Sequence, residues 1–572
     1  MENRMTKWLS KNESGRADEI EIRGKVIPGI VVQILKNRGW DTKEKIEQYF
    51  APTLSDLHNP FLMTQMERAV DRIIKALHSR ERVLIHGDYD TDGITAVALL
   101  LTNLKRMGID ATYYIPNRLE EGYGLSSAGV EQAVKSGCTL IIAVDCGITA
   151  VEEVLYAKKH NIDVIICDHH KAGDEIPEAA AVLDPKIPTE QYPFRELAGI
   201  GVAFKLIEAL YEKTGLEKEQ LYQDLDLVAL GTVVDIVPLV DENRVLVKYG
   251  INRIKKSKKP GFRALLKESK LNNRISSYHL GFIIGPRINA CGRLRDAKEA
   301  LELFLTDDYD RAVQLAERLS ADNRERQAIE EQIYREAFDL VSSSGEDKKR
   351  VIVLGKEEWH EGIVGIVASR ISEYFHRPTI LLSLKEKTAK GSARSIPDFD
   401  ITEALKYCSR LLLKFGGHSQ AAGLEIKKED FIKFSESINK YAASFDAAVF
   451  ERKRFYDVEL DLSDITDELI HFLKYFEPTG MANPQPVFLG RNFEIVGVPR
   501  VVGSDHLKFA LRNNGRVFSA IAYGRGDAIL EIEPGKTRID CLYSIHEDSF
   551  FGKKKVVLKI KEMKKTGEMG AG

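Results

Sequence analysis

Short apolar runs without alternation recur through the first third of the chain, and each leads into a helical pattern. RVLIH (82–86) runs into the polar GDYDTDG and then the helix-like ITAVALLLTNLKRMG. TLIIAVD (139–145) precedes a helical stretch from about Thr149 to His160, and IDVIICD (162–168) closes on His169 and His170. Runs rich in β-branched residues that lack a period of two fit strands buried on both faces. Their alternation with helices predicts a parallel, doubly wound sheet. Ligands of such sheets gather beyond the carboxyl ends of the strands. Three successive strand ends carrying Asp or His are therefore expected to converge on one edge.

Further along, LDLVALGTVVDIVP (225–238) reads first as a helix and then as buried chain, which sets Asp235 among apolar residues. From about Asp308 to Val341 runs a long charged helical pattern with Val313, Leu315, Ala316, Leu319, Ile329, Ile333 and Phe338 near helical spacing. It predicts a helix connecting two lobes. A second α/β unit begins at RVIVLG (350–355), continues through PTILLSL (378–384) and ends near Phe445. From Arg454 the pattern changes to short alternating strands, with Asn514-Gly515 marking a tight hairpin turn. That pattern suggests a small β-barrel, an OB-fold before other kinds. The expected fold class is α/β: a parallel-sheet lobe and a smaller α/β lobe joined by a long helix, plus the C-terminal OB-fold-like barrel. Expected boundaries are an N-terminal segment 1–45, a catalytic domain 46–305, a connecting helix 306–345, a substrate-binding domain 346–450 and the barrel 451–565.

The length, 572 residues, agrees with about three to five domains. Hydrophobic residues at 44% and charged residues at 30% exclude a mainly disordered chain. No apolar run approaches the roughly 18 residues that span a bilayer. The opening MENRMTKWLSKNESGR lacks the apolar stretch of a secretory signal. The six cysteines, Cys138, Cys146, Cys167, Cys291, Cys408 and Cys541, form no CxxC, which fits a reducing cytoplasm and argues against a zinc ribbon or a disulfide framework. A net charge of −3, from 83 basic and 86 acidic residues, neither indicates nor excludes nucleic acid, because a basic groove can be offset elsewhere.

His86, Asp88, Asp90 and Asp92 fall within seven residues at a strand end. Carboxylates so close repel one another unless cations neutralise them. Taken alone the segment could be a solvated loop or a set of helix caps. Asp145, the triplet Asp168-His169-His170 and Asp235 add acids and imidazoles from three other segments, which chance does not readily bring to one edge. Asp and His without thiolate favour Mn or Mg over structural zinc. Cys146 and Cys167 adjoin ligand positions, but neighbouring strand residues point to opposite faces, so both are assigned to the core.

At this point the chain resembles the DHH phosphoesterase superfamily, named for the triplet 168–170, and within it most closely the single-strand-specific exonucleases of bacteria. Further markers are IPNRLEEGYGL (115–125), LAGIGVAFKL (197–206), GPRINACGRL (285–294), WHEGIVGIVASR (359–370), GSARS (391–395) and GGHSQAAGL (416–424). The resemblance implies two divalent metal ions, Mn or Mg. Its first motif, His-x-x-x-Asp-x-Asp, selects His86, Asp90 and Asp92 as ligands, with Asp145 bridging and His169 and Asp235 completing the second site. Asp88 falls outside that register and is expected behind the ligands, supporting catalysis. His170 is expected to orient the ligands or touch the scissile phosphate. A two-metal centre activates water directly, so no nucleophilic Ser or Cys is needed.

The second lobe resembles the DHHA1 domain, which implies substrate contacts. Ser392 and Arg394 in GSARS offer hydroxyl, backbone N–H and guanidinium groups suited to phosphate. Gly416 and Gly417 let a backbone approach a ligand closely, with His418 beside them. Arg118, Arg287 and Arg293 are expected phosphate contacts, and His360 a substrate contact, with Trp359 packing the interface. Where the family shows Pro-Phe-Gly-x-Gly-Asn-Pro, this chain has Pro478-Thr-Gly480-Met-Ala482-Asn483-Pro484, which weakens any stacking role for that loop. Lysines at 255–259 and 553–555 are solvated faces or backbone contacts.

The expected activity is 5′→3′ degradation of single-stranded DNA to mononucleotides, in recombination and repair. A single-strand-binding protein and a helicase are the expected partners; the chain is expected to be monomeric, cytoplasmic and free of membrane. Two alternatives remain: a phosphoesterase acting on short oligonucleotides, cyclic dinucleotides or pyrophosphate, and a non-catalytic DNA-binding scaffold. Small-substrate relatives generally stop after two lobes, and a scaffold could have lost its ligands.

Overall fold

The computed structural model describes residues 6–11, 17–117, 121–271, 275–503, 505–550 and 553–566. In the first lobe, β1 (Arg82–His86), α1 (Thr91–Arg106), β2 (Asp110–Tyr114), β3 (Leu140–Val144), β4 (Asp163–Cys167) and β5 (Ala181–Leu183) follow one another. The strands form one parallel sheet in the order β2-β1-β3-β4-β5. All five residues of β3 are buried, as expected of a strand covered on both faces. The chain leaves β1 toward one edge and returns to β3 on the other side. Strand order thus reverses between β1 and β3, where a parallel sheet opens a crevice at its carboxyl end. Asp90 caps α1 by accepting from the N–H groups of Asp92 (2.9 Å) and Gly93 (3.1 Å). Two further helices, α2 (Gly199–Thr214) and α3 (Leu225–Val234), pack on α1.

Helix α4 (Gly285–Leu294) leads to α5 (Tyr309–Ser344), the expected connector, about 54 Å long at 1.5 Å per residue. Asp308 caps its start and Gly345, in the left-handed region, ends it. Its apolar face is divided between two cores. Ala312, Leu315, Ala316 and Leu319 join the first lobe, whereas Ile333, Ala337 and Val341 pack against the second. That second lobe comprises β6 (Ile352–Lys356), α6 (Val364–Phe375), β7 (Thr379–Leu384), β8 (Thr388–Arg394), β9 (Leu412–His418) and β10 (Ala421–Lys427). Its sheet order is β9-β10-β8-β7-β6, with only β6 and β7 parallel.

The C-terminal strands β11 (Phe488–Val502), β12 (His506–Asn513), β13 (Arg516–Tyr523), β14 (Arg538–Phe550) and β15 (Lys553–Lys565) close into a barrel. Hydrogen bonding runs β11-β12-β13-β15-β14 and returns to β11, which removes the exposed edges. Asn514 and Gly515 both have positive φ, the geometry a two-residue hairpin loop requires.

The N-terminal segment differs from expectation. Val31, Ile34 and Leu35 of the helix Gly29–Asn37, and Ile46 and Tyr49 of the helix Lys43–Phe50, are buried in the same core as Phe488, Phe493 and Tyr543 of the barrel. The strand Lys7–Ser10 pairs with Lys453–Tyr456. The expected boundary between residues 45 and 46 cuts a helix. The segment runs to about Phe50 and packs with the far end of the chain, a long-range association that local periodicity does not encode.

Candidate metal centre and facing cleft

The crevice receives groups from the ends of four of the five strands, β1, β3, β4 and β5. Asp145 follows β3 with φ +59, a left-handed conformation that turns the chain sharply at the sheet edge. Asp168 follows β4 and is fully occupied. Its Oδ2 accepts from Ile148 N (2.9 Å), and its Oδ1 accepts from His169 N (2.7 Å) and His170 Nδ1 (2.7 Å). Burial is the strongest single influence and opposes the charge, but the hydrogen bond from His170, the two neighbouring imidazoles and the Ile148 amide together outweigh it and hold Asp168 down to about 2. Asp168 therefore orients the two histidines.

So oriented, His169 points Nε2 into a ring of carboxylates: Asp145 Oδ1 at 3.1 Å, Asp235 Oδ2 at 3.6 Å and Asp92 Oδ2 at 3.9 Å. Asp92 sits at the N-terminus of α2, accepting from Gly199 N (2.7 Å) and Ile200 N (2.9 Å), where the helix favours negative charge. Asp235 ends α3. Glycines permit the approach, because a Cβ at Gly231 would lie 2.9 Å from Asp92 Oδ1 and 2.5 Å from Thr95 Oγ1.

Burial, then repulsion from Asp90, raises Asp92 to about 7. Burial and neighbouring carboxylates push Asp145 and Asp235 well above the ordinary range. Burial, and then the charge of His170, lowers His169 to about 3, so its ring is neutral. Asp145 Oδ1, Asp235 Oδ2 and His169 Nε2 are buried without a hydrogen-bond partner. Unmet acceptors around a neutral imidazole fit a divalent cation, which would satisfy the lone pairs and offset the repulsion. Two groups have the required proximity: Asp92, His169 and Asp235, and Asp145, His169 and His170.

Other expected residues fall around this cluster. Asp90 spends one oxygen on the cap of α1 and adds its charge to Asp92 and Asp145. Asp88, also buried, is close enough to raise Asp145 further. His86 reaches the same strand end but belongs to neither group. Its Nε2 accepts from Ser126 N at 3.4 Å, its Nδ1 lies 3.8 Å from Cys146 Sγ, and its ring leans on Tyr114. Burial lowers it to about 4. His170 is half-exposed toward the cleft, 3.0 Å from the Tyr123 hydroxyl, which donates to the Asp145 carbonyl at 2.9 Å. Cys146 and Cys167 are fully buried.

Across the cleft, Arg394 donates to Ser392 Oγ (2.5 Å), and α6 begins beside them: a Cβ at Gly365 would lie 2.9 Å from Arg394 Nη2. His418 is within electrostatic reach of Arg394 in its own lobe and of His170 and Lys186 opposite. Gly417 has φ +148, and a Cβ there would meet Ala421 O at 2.4 Å, whereas one at Gly416 would meet nothing. Arg287 donates to Ser320 Oγ (3.2 Å) and holds α4 to α5. Arg293 donates to Gly362 O (2.9 Å) and joins the lobes. His360 Nδ1 accepts from Gly362 N in that joint, and Trp359 is buried with Nε1 donating to Glu336. Arg287, Arg293 and His360, expected as substrate contacts, also make these contacts within the protein. Lys259 of the first lysine run pairs with Asp226 (2.5 Å) and Asp224 (2.9 Å). Arg118 lies outside the described residues.

Four residues near the centre escaped the sequence reading. Asp184 and Lys186 follow β5, the fourth strand end, whose three residues are too few for a clear periodic signal. Asp184 is buried and raised to about 7, first by burial and then by Asp168. Asn289 accepts from both Thr91 N (2.9 Å) and Thr91 Oγ1 (2.6 Å), bracing the first motif from α4. Tyr123 lay within a recognised motif without an assigned role.

The DHH family N-terminal domain model matches residues 82–232, the DHHA1 domain model 348–444 and the RecJ OB domain model 456–562. Fold and site together define a phosphoesterase of the DHH class. Whole-chain comparisons narrow the class further. The chain is 37% identical over 544 residues to the single-stranded-DNA-specific exonuclease RecJ of Bacillus subtilis, covering 94% of this chain and 68% of that protein. It is 36% identical over 561 residues to RecJ of Dickeya dadantii, covering 94% and 96%. The crystal structure of RecJ in complex with Mn2+ from Thermus thermophilus superposes with a TM-score of 0.82 at 29% identity, covering 99% of this chain and 80% of that one. The chain belongs to the RecJ family of single-stranded-DNA-specific exonucleases.

Proposed function

We propose that the protein hydrolyses single-stranded DNA from the 5′ end, releasing mononucleotides, with two divalent metal ions, Mn or Mg, at the first-lobe crevice. The observation that carries this reading is the neutral His169 nitrogen set among the buried carboxylates of Asp92 and Asp145 and the half-buried one of Asp235. Asp92, Asp145, His169 and Asp235 would hold one ion. Asp145 and Asp90 would hold the other, together with His86 once its ring gives up the Ser126 amide. Bound metal supplies an activated water at neutral pH and charge stabilisation for the leaving oxygen.

The chain's own groups supply the rest. Asp168 and Tyr123 fix the His170 ring, whose pKa, despite burial, is held above the ordinary value by the bond to Asp168. His170 thereby presents positive charge to the scissile phosphate. Ser392 and Arg394, with Gly416, Gly417 and His418 beside them, receive the terminal 5′ phosphate, a charge-assisted contact worth ~1.5–3 kcal/mol. The barrel holds the strand beyond the cleft. Six buried free cysteines support a cytoplasmic setting, and no helix among the described residues is long and apolar enough to cross a membrane. In recombination and repair the enzyme would act as a monomer, a helicase and a single-strand-binding protein supplying the strand.

End-labelled single strands and duplexes, incubated with Mn, Mg or EDTA, test the reading. Mononucleotides appearing from the 5′ end of single strands, only with metal, are expected. Cleavage in EDTA, products from the 3′ end, or a preference for duplex would refute it.

A further inference from the structure

The segment that carries Asp235 into the centre is held from outside the first lobe. Ile236, directly after Asp235, has φ +63. A β-branched residue is an outlier in that region and stays there only when surrounding contacts impose it. Ile236 is itself 65% exposed, so the imposing contacts lie at its neighbours. On one side, Asn243 donates to the Pro238 carbonyl at 3.0 Å and to Glu196 O. On the other, Leu239 N donates to the carbonyl of Met481 at 2.8 Å. Leu239 is buried, and Gly480 packs on it so closely that a Cβ there would lie 2.7 Å from Leu239 Cδ1 and 3.1 Å from its Cγ.

Gly480 and Met481 belong to the loop that opens the barrel, the one whose sequence departs from the family pattern. The loop is closed on itself by hydrogen bonds between the backbones of Gly480 and Asn483. The Asn483 side chain, buried, donates to the Phe476 and Pro478 carbonyls (2.9 and 2.8 Å) and accepts from the Tyr49 hydroxyl (3.0 Å). The Thr479 carbonyl accepts from Ser277 Oγ of the first lobe at 2.6 Å. A rigid loop, tied to the N-terminal helix and to the first lobe, thus presses on the fourth residue after a candidate metal ligand.

From this arrangement we infer that the barrel's opening loop, through Gly480 and the Leu239–Met481 bond, positions Asp235 for metal. Gly480 is then a positioning residue, and the barrel sets metal affinity as well as strand affinity. The inference rests on the reading of Asp235 as a ligand. Losing outer support of a metal ligand typically weakens metal binding about 10–100-fold.

Mn(II) titration of the full-length protein without DNA, following the electron paramagnetic resonance of the free ion, gives a readout independent of turnover. Gly480→Ala should weaken the site containing Asp235 about tenfold or more, while single-strand affinity in EDTA stays unchanged. Adding Leu239→Ala removes the atoms the new methyl meets, so the double variant should recover most of the lost affinity. Asp235→Asn is the control and should lose that ion. Wild-type Mn binding in Gly480→Ala, or no recovery in the double variant, would overturn the inference even as Asp235→Asn loses its ion. A full Mn complement in Asp235→Asn would instead overturn the assignment of Asp235 on which it rests.

Discussion

Gly199, at the first position of α2, leaves no room for a side chain against Asp145: a Cβ there would lie 2.6 Å from Asp145 Oδ1, 2.7 Å from its Cβ and 2.9 Å from its Cα. Two of those atoms cannot turn away by rotation about χ1. The same residue's N–H donates to Asp92, so Gly199 sets the spacing of two carboxylates at once. Gly199→Ala should reduce kcat by roughly 100-fold, the cost of misplacing reacting groups by about 1 Å. Far-UV circular dichroism and strand binding in EDTA should be preserved. Turnover near that of the wild type would show that the spacing is not required.

The carboxylate cluster predicts a pH dependence that metal abolishes. Folded-state values raised above the unfolded value mean that the native state holds extra protons. The stability they confer is complete below about pH 4 and is lost as pH rises through the folded value, about 7 for Asp92. Thermal midpoints in EDTA should therefore fall between about pH 7 and pH 8, above the unfolded histidine value, where the lowered His86 and His169 no longer oppose the carboxylates. Saturating Mn, which binds the deprotonated groups, should raise the midpoint and more so at the higher pH. A midpoint in EDTA that rises over this interval would contradict the burial of uncompensated carboxylates.

Arg394 and Ser392 stand across the cleft from His170, with His418 electrostatically coupled to both lobes. Arg394→Ala should slow 5′-phosphorylated strands roughly ten- to a hundredfold and 5′-hydroxyl strands much less. Equal slowing of the two substrates, in single-turnover rates, would place recognition of the 5′ end elsewhere.

Much of this architecture is legible in the apolar runs. Unalternating stretches ending at His86, Asp145 and Asp168 become buried parallel strands, and the charged pattern after Asp308 becomes one continuous helix. Strand ends converge because the sheet is parallel, so four separated segments could be assigned to one crevice. Orientation is less legible. His86 faces the Ser126 amide, and Arg287 and Arg293 are drawn into helix and lobe contacts, because spacing places a residue on an element without naming its partner. The N-terminal helices share the barrel core across roughly 400 residues or more. Gly199 and Gly480 owe their importance to close approach between distant segments, which only the folded chain brings about.

The central claim is that the carboxylates around His169 bind the metal that cleaves the strand. Its most direct test compares wild type and Asp145→Asn for bound Mn(II) and for single-turnover hydrolysis of the same 5′-phosphorylated single strand. Asp145→Asn should bind less Mn and lose hydrolysis, while retaining strand affinity in EDTA. An Asp145→Asn protein that cleaves at the wild-type rate with a full Mn complement would contradict the account.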